Sequence, residues 1–85
     1  MSLGRLLVTA GARSEISNDD VLLALSRHVR GDWGELDPDD KAANDRALAM
    51  GGRLLSAYRG GNGRRFWVIT EWDRSATTVL LPEDY

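Results

Sequence analysis

Arg53-Leu-Leu-Ser-Ala-Tyr-Arg59, Gly60-Gly61-Asn62-Gly63, Arg64-Arg-Phe-Trp-Val-Ile-Thr-Glu-Trp72, Asp73-Arg74-Ser75 and Ala76-Thr-Thr-Val-Leu-Leu81, closed by Pro82, carry the strongest structural signal in the chain. Runs rich in β-branched and aromatic residues alternate with a glycine-rich segment suited to positive φ and with a short polar turn. That pattern predicts a three-stranded antiparallel meander. If Arg59 faces Arg64, then Ala57 faces Phe66 and Leu55 faces Val68. A two-residue second turn, Asp73-Arg74, sets Val68 against Val79 and Phe66 against Leu81. One face then shows Leu55, Ala57, Phe66, Val68, Val79 and Leu81 as a core surface. The other shows Leu54, Tyr58, Trp67, Ile69 and Leu80 among Ser56, Arg65, Glu71 and Thr78. A one-residue change in either loop would break this agreement.

Upstream, Leu3 to Ala10 reads as a strand ending at Gly11. Ser17 can cap a helix, with Asp20 three residues on and Val21, Leu22, Leu25 and Val29 at helical spacing; Gly31 stops it. The loop Asp32-Trp33-Gly34-Glu35-Leu36 leads to a second helix. Asp37 is its N-cap, Pro38 its first residue, and Gly51-Gly52 its end. The expectation is a single α+β domain over residues 1–85, in the order β-α-α-β-β-β. It has a three- to four-stranded antiparallel sheet packed by two helices, with the first strand as the possible fourth member. Two short helices cover one side of such a sheet. The second face is either an apolar patch in water, or is covered by the first strand, a loop or one of the helices.

With 85 residues, 42% apolar and 28% charged, the chain has the composition of one folded domain. The absence of cysteine excludes disulfides, iron–sulfur clusters, thiolate zinc sites and cysteine nucleophiles, and a single histidine excludes a multi-histidine metal site. No apolar run approaches the ~20 residues of a bilayer span, and the first fifteen residues do not read as a signal peptide, so the expected compartment is the cytoplasm. The net charge of −2 is unevenly spread. Residues 32–45 carry six acids against Lys41, whereas residues 46–65 carry five arginines and no acid.

His28 with Asp32 would make an oriented general base, but no nucleophile can be assigned by spacing, and a helix-terminal histidine favoured by the dipole is the better reading. Asp37, Asp39 and Asp40 do not follow the calcium-loop pattern and are accounted for by helix capping. Arg53, Arg59, Arg64 and Arg65, interleaved with Tyr58, Phe66 and Trp67, look superficially like a single-strand nucleic-acid platform. Strand alternation keeps Phe66 and Trp67 on opposite faces, which weakens that reading. Glu71-Trp72-Asp73-Arg74-Ser75 fits structural turn chemistry. Gly60 to Gly63 lacks the ending of a phosphate loop and joins two strands. No catalytic residue, metal or cofactor is therefore assigned.

His28-Val-Arg-Gly-Asp-Trp-Gly34, Asn44, Gly52-Arg-Leu-Leu-Ser-Ala-Tyr58, Trp67-Val-Ile-Thr-Glu71 and Asp73-Arg-Ser-Ala-Thr-Thr-Val-Leu-Leu-Pro-Glu-Asp-Tyr85 resemble a family of small "plasmid-related" proteins carried on plasmids and integrative elements. The likeness spans about residues 20–85 and implies little about activity. Carriage on mobile elements favours a small anti-defence inhibitor, of the anti-CRISPR or antirestriction kind, over an enzyme.

The resulting expectation is a non-catalytic interaction module acting stoichiometrically on a protein partner. Candidate contact residues are Asp32, Trp33 and Glu35 in an exposed loop, Glu71, Trp72, Asp73 and Arg74 in the second turn, and Tyr58 and Trp67 on the second sheet face. That face could also pair two copies. The alternative is a nucleic-acid-associated accessory protein using the arginines of residues 53–65.

Overall fold

In a computed structural model covering residues 1–85, β1 (Arg5–Val8) is followed by α1 (Ala10–Glu15), α2 (Asn18–Val29) and α3 (Pro38–Met50). Then come β2 (Leu54–Arg59), β3 (Arg65–Thr70), β4 (Ala76–Leu80) and a closing 3₁₀ turn, Pro82–Asp84. The sheet order is β1-β4-β3-β2. The three C-terminal strands form the expected antiparallel meander, but β1 lies parallel to β4 at the edge, so the sheet is mixed rather than antiparallel. A parallel partner needs a long crossover, here the chain from α1 through β3.

There are three helices, not two. The first strand stops at Val8, because the Thr9 hydroxyl accepts a hydrogen bond from the Ala12 N–H and caps α1. Gly11, read from the sequence as a strand terminator, lies inside that short helix. The other caps are as expected. Ser17 Oγ accepts from Asp20 N–H at 3.1 Å, and the Asp37 carboxylate accepts from Asp40 N–H at 2.8 Å.

The β3–β4 register is the expected one, with Val68 opposite Val79. The β2–β3 register differs by one: Arg59 faces Arg65 rather than Arg64, and Ser56 faces Val68. Arg64 belongs to the loop, which is tied down from outside. Asp20 accepts from Gly61 N–H at 2.9 Å, and the Asn62 amide donates to the Glu15 carbonyl at 2.8 Å. The slip exchanges the faces of β2. Leu54, Ser56 and Tyr58 point toward the helices with Phe66, Val68, Thr70, Thr77, Val79 and Leu81, whereas Leu55 and Ala57 join Trp67, Ile69 and Leu80 on the second face. Tyr58 and Trp67 are therefore on opposite faces, not together.

The core consists of Tyr58, Phe66, Val68, Val79 and Leu81 of the sheet side against Ala12 and Ile16 of the α1 region and Ala24 of α2, with Val21 and Leu25 at its margin. Helix α3 lies beside β2 instead of over the sheet. The Asn44 amide there donates to the Leu55 carbonyl and accepts from the Leu55 N–H. One residue pair along, the Ala57 N–H donates to the Trp33 carbonyl and the Glu35 N–H to the Ala57 carbonyl. The outward backbone groups of Leu55 and Ala57 in β2 are thus occupied, which closes that stretch of the edge to further pairing. Gly34 is required at this close approach: with φ of 75°, an added Cβ would lie 2.0 Å from the Ala57 carbonyl oxygen.

Candidate functional site

Inside the domain, α2 places His28 against β2 and β3, fully buried. Its Nδ1 lies 2.6 Å from Ser56 Oγ and its Nε2 lies 2.8 Å from Thr70 Oγ1. Thr70 Oγ1 is 2.8 Å from Thr77 Oγ1, which donates to the Leu3 carbonyl at 2.7 Å. The carbonyl can only accept, and this sets the protons as far as His28 Nε2, while the neutral ring leaves Nδ1 as an acceptor. Thr77 donates to Leu3, Thr70 to Thr77, the His28 Nε2–H to Thr70, and Ser56 to His28 Nδ1. The histidine is neutral and pinned in one tautomer. Burial, then the Arg74 guanidinium, push its pKa down to about 4.

Although Ser56 and His28 are within hydrogen-bond reach, none of the clefts at the surface is lined by either. Asp32 does not orient the imidazole, because its carboxylate pairs with Arg27 at 2.7 Å. The histidine's contacts join α2, β2, β3, β4 and the N-terminal segment. Nor does it serve as a helix-end cap bonded to the following loop.

In the loop at Asp32 to Leu36, Asp32 and Glu35 are exposed as expected but Trp33 is not. Trp33 is 3% exposed; its Nε1–H donates to Asp45 of α3 at 2.9 Å, and its ring meets the His28 ring edge-on at 5.6 Å. Tyr58, also buried, donates its hydroxyl to the Asp32 carbonyl at 2.6 Å under the Arg27 guanidinium, and burial pushes its pKa up to about 12. Glu35 pairs with Arg59 at 3.2 Å and approaches Arg65 at 3.9 Å. Contact with these arginines holds both Asp32 and Glu35 below the usual carboxylate range. Of the carboxylates of residues 32–45, Asp37 caps α3, Asp45 receives the Trp33 indole, and Asp32 and Glu35 pair with arginines; nowhere in the chain do three or more acidic or imidazole groups gather into a set that could hold a metal ion.

The 71–75 turn is built differently. Asp73 accepts from the Ser75 N–H at 3.0 Å, and hydrogen bonding from the Ser75 side chain and then its backbone lowers the Asp73 pKa. Arg74 adopts a φ of 62°, a conformation that usually selects glycine. Its guanidinium donates to the carbonyls of Ala47 at 2.9 Å and Gly52 at 2.5 Å, and to those of Glu71 and Trp72 in its own turn. Helix α3 has no basic residue in its last turn, so Arg74 supplies from another element the cation that its C-terminal carbonyls favour. Trp72, at the tip of this anchored turn, is 70% exposed.

Residue 53 follows the Gly52 carbonyl that Arg74 holds. The Arg53 guanidinium lies over the Tyr85 ring at 5.1 Å and donates to its hydroxyl at 2.6 Å. Tyr85, 69% exposed, meets half-buried Trp67 edge-on at 5.9 Å. The C-terminal residue thus reaches across the second sheet face. By strand alternation the same face carries Arg5, Arg59 and Arg65.

Of the residues singled out in the sequence, the structure brings Trp67 into a surface cluster with Arg53 and Tyr85, and leaves Trp72 exposed. It buries Trp33 and Tyr58, commits Asp32 and Glu35 to ion pairs, and spends Arg74 on α3. Glu71 flanks the turn and is half-buried. Tyr85 is not legible as a site residue, and Arg53 is legible only as one of the arginines of the nucleic-acid alternative, since nothing local announces that the last residue folds back over β3. No helix is long and apolar enough to cross a membrane. Comparison of the chain with family models, with curated proteins and with solved structures found no match.

Proposed function

We propose that this protein is a non-catalytic binding module that engages a protein partner stoichiometrically, with Trp72, Trp67, Arg53 and Tyr85 at the centre of the contact. The observation that carries the reading is the pair of aromatic side chains left in water, Trp72 at 70% exposed in a turn that Arg74 anchors and Tyr85 at 69% exposed with its hydroxyl held by Arg53. Trp, Tyr and Arg are the residue types that dominate interface energetics. A pre-ordered aromatic costs little further entropy on binding. In the setting that the sequence resemblance implies, the partner is a component of a host defence complex.

A second reading, single-stranded nucleic acid stacking on Trp67 and Tyr85, is favoured by one observation: Arg5, Arg53, Arg59 and Arg65 share that face. It ranks lower because Glu35 already engages Arg59 and Arg65, Tyr85 engages Arg53, and the chain is acidic overall. The test compares wild type with Trp72→Ala and Tyr85→Ala. Affinity capture from a host lysate should yield one protein at a fixed ratio that both substitutions deplete. Capture unchanged by either substitution refutes the reading. Binding to an oligonucleotide that weakens steeply as salt rises from ~50 mM establishes the second reading instead.

A further inference from the structure

The two edges of the sheet are finished differently. Along β2 every outward backbone group at Leu55 and Ala57 has a partner, whereas β1 has neighbours on one side only. The N–H groups of Arg5 and Thr9 donate to the Ser75 and Val79 carbonyls of the β4 side at 3.0 Å each. By alternation, the N–H and C=O groups of Leu6 and Val8 point away from the sheet. The side chains there are apolar and uncovered: Leu6 is 56%, Leu7 41% and Val8 36% exposed. An open groove of about 350 Å³ runs beside them, lined by Leu6, Val8, Arg13, Ile16, Asn18 and Val21. On α2, Leu22 and Val29 lie on the flank marked by Asn18, and Leu22 is 65% exposed. β1 is short, at four residues, and carries the charge of Arg5, but no lysine, proline or covering loop blunts it.

We infer that β1 pairs antiparallel with β1 of a second copy of this chain, joining two sheets into one of eight strands. The register follows from the backbone. Antiparallel strands exchange both hydrogen bonds between directly opposed residues whose groups point at each other; Val8 opposite Val8 would set Leu6 against helical Ala10, so Leu6 must oppose Val8 or another Leu6. Opposing Leu6 with Leu6 would bring Gly4 against Val8, but Gly4 has a φ of 62° and is not extended. Leu6 therefore opposes Val8, and Leu7 faces Leu7 across the twofold axis.

Every apolar side chain of the edge then meets another. Arg5, which has no side-chain partner within its own chain, arrives opposite Thr9, whose hydroxyl is bonded to the Asp84 carboxylate at 2.6 Å. This charge complementarity, repeated by the twofold, selects a second copy over an arbitrary peptide. Directly opposed residues share a face, so the two aromatic faces point the same way. The inference does not depend on what those faces bind.

The chain has no cysteine, so Leu7→Cys introduces a single thiol. Opposed non-hydrogen-bonded residues have Cα atoms about 4.5 Å apart, within disulfide reach. Mild oxidation should convert Leu7→Cys to a covalent dimer at least about tenfold faster than Met50→Cys, on the 85% exposed end of α3, which reports random collision. In sedimentation the wild type should dimerise with concentration. Leu6→Lys and Arg5→Glu, both at solvent-facing positions, should each raise the dissociation constant by about tenfold or more. A chain that stays monomeric at ~1 mM, or a Leu7→Cys rate equal to that of Met50→Cys, overturns the inference. So does a monomer whose edge takes up an extended peptide.

Discussion

Trp33 and Trp72 occupy short acidic turns of similar composition, Asp32-Trp33-Gly34-Glu35 and Glu71-Trp72-Asp73-Arg74, yet one indole is 3% exposed and the other 70%. Hydrophobicity is the same in both. What differs is what the neighbouring charges do. Around Trp33, Asp32 and Glu35 are drawn off by Arg27 and Arg59, and Asp45 on a facing helix receives the indole N–H, so the ring can enter the interior with its polar atom satisfied. Around Trp72, the turn anchors itself through Asp73 and Arg74, and the indole has no role in holding the fold. The first loop is part of the core, and the second is rigid surface.

The largest test of this contrast is Trp33→Ala, which should cost about 3–5 kcal/mol in denaturant unfolding by leaving a cavity beside His28. A loss below about 1 kcal/mol would mean the loop is only draped on the surface. Next comes pH. With a folded pKa of about 4 against an ordinary 6.5, His28 is neutral in the native state where the unfolded chain already takes up a proton. Stability is thus complete above pH 6.5 and falls by about 3 kcal/mol as pH drops to 4, visible in urea midpoints. The Asp73 contact, with a lowered carboxyl pKa, persists until the pH falls below the ordinary carboxylate range. The Trp33 region should therefore loosen first on acidification.

Arg74 sharpens the comparison from the other side. Arg74→Ala should lose about 2 kcal/mol as the α3 carbonyls lose their donor, while Arg74→Gly should lose about 1 kcal/mol less because glycine adopts the positive φ freely. Equal losses in thermal unfolding would show that the backbone carries no strain. The smallest expected effect on stability is at Trp72→Ala, within about 0.5 kcal/mol, and the same substitution should weaken partner binding by about 2 kcal/mol or more in calorimetry. Trp72 would then contribute to recognition what Trp33 contributes to folding.

Local chemistry was enough to place most elements. Ser17 and Asp37 cap their helices because a side-chain oxygen satisfies N–H groups two or three residues on, and glycines at 31 and 51–52 end them. The meander follows from β-branched runs around polar turns, and the β3–β4 register from the length of its hairpin. The candidate site was visible only in part: Trp72 and Trp67 could be singled out from the sequence, but their setting could not.

What the chain's order of residues could not decide depends on groups distant in sequence. The Gly60–Arg64 loop takes its length from Asp20 and Glu15, and so moves β2 by one residue and exchanges Tyr58 for Ala57 in the core. Trp33 satisfies its indole N–H at Asp45 on α3, His28 is neutral because distant elements bury it and bring Arg74 near, and Tyr85 crosses the sheet because Arg53 and Trp67 receive it. Side-chain alternation and helix capping are properties of neighbours along the chain, whereas burial of a polar atom is decided by whether a partner arrives from elsewhere.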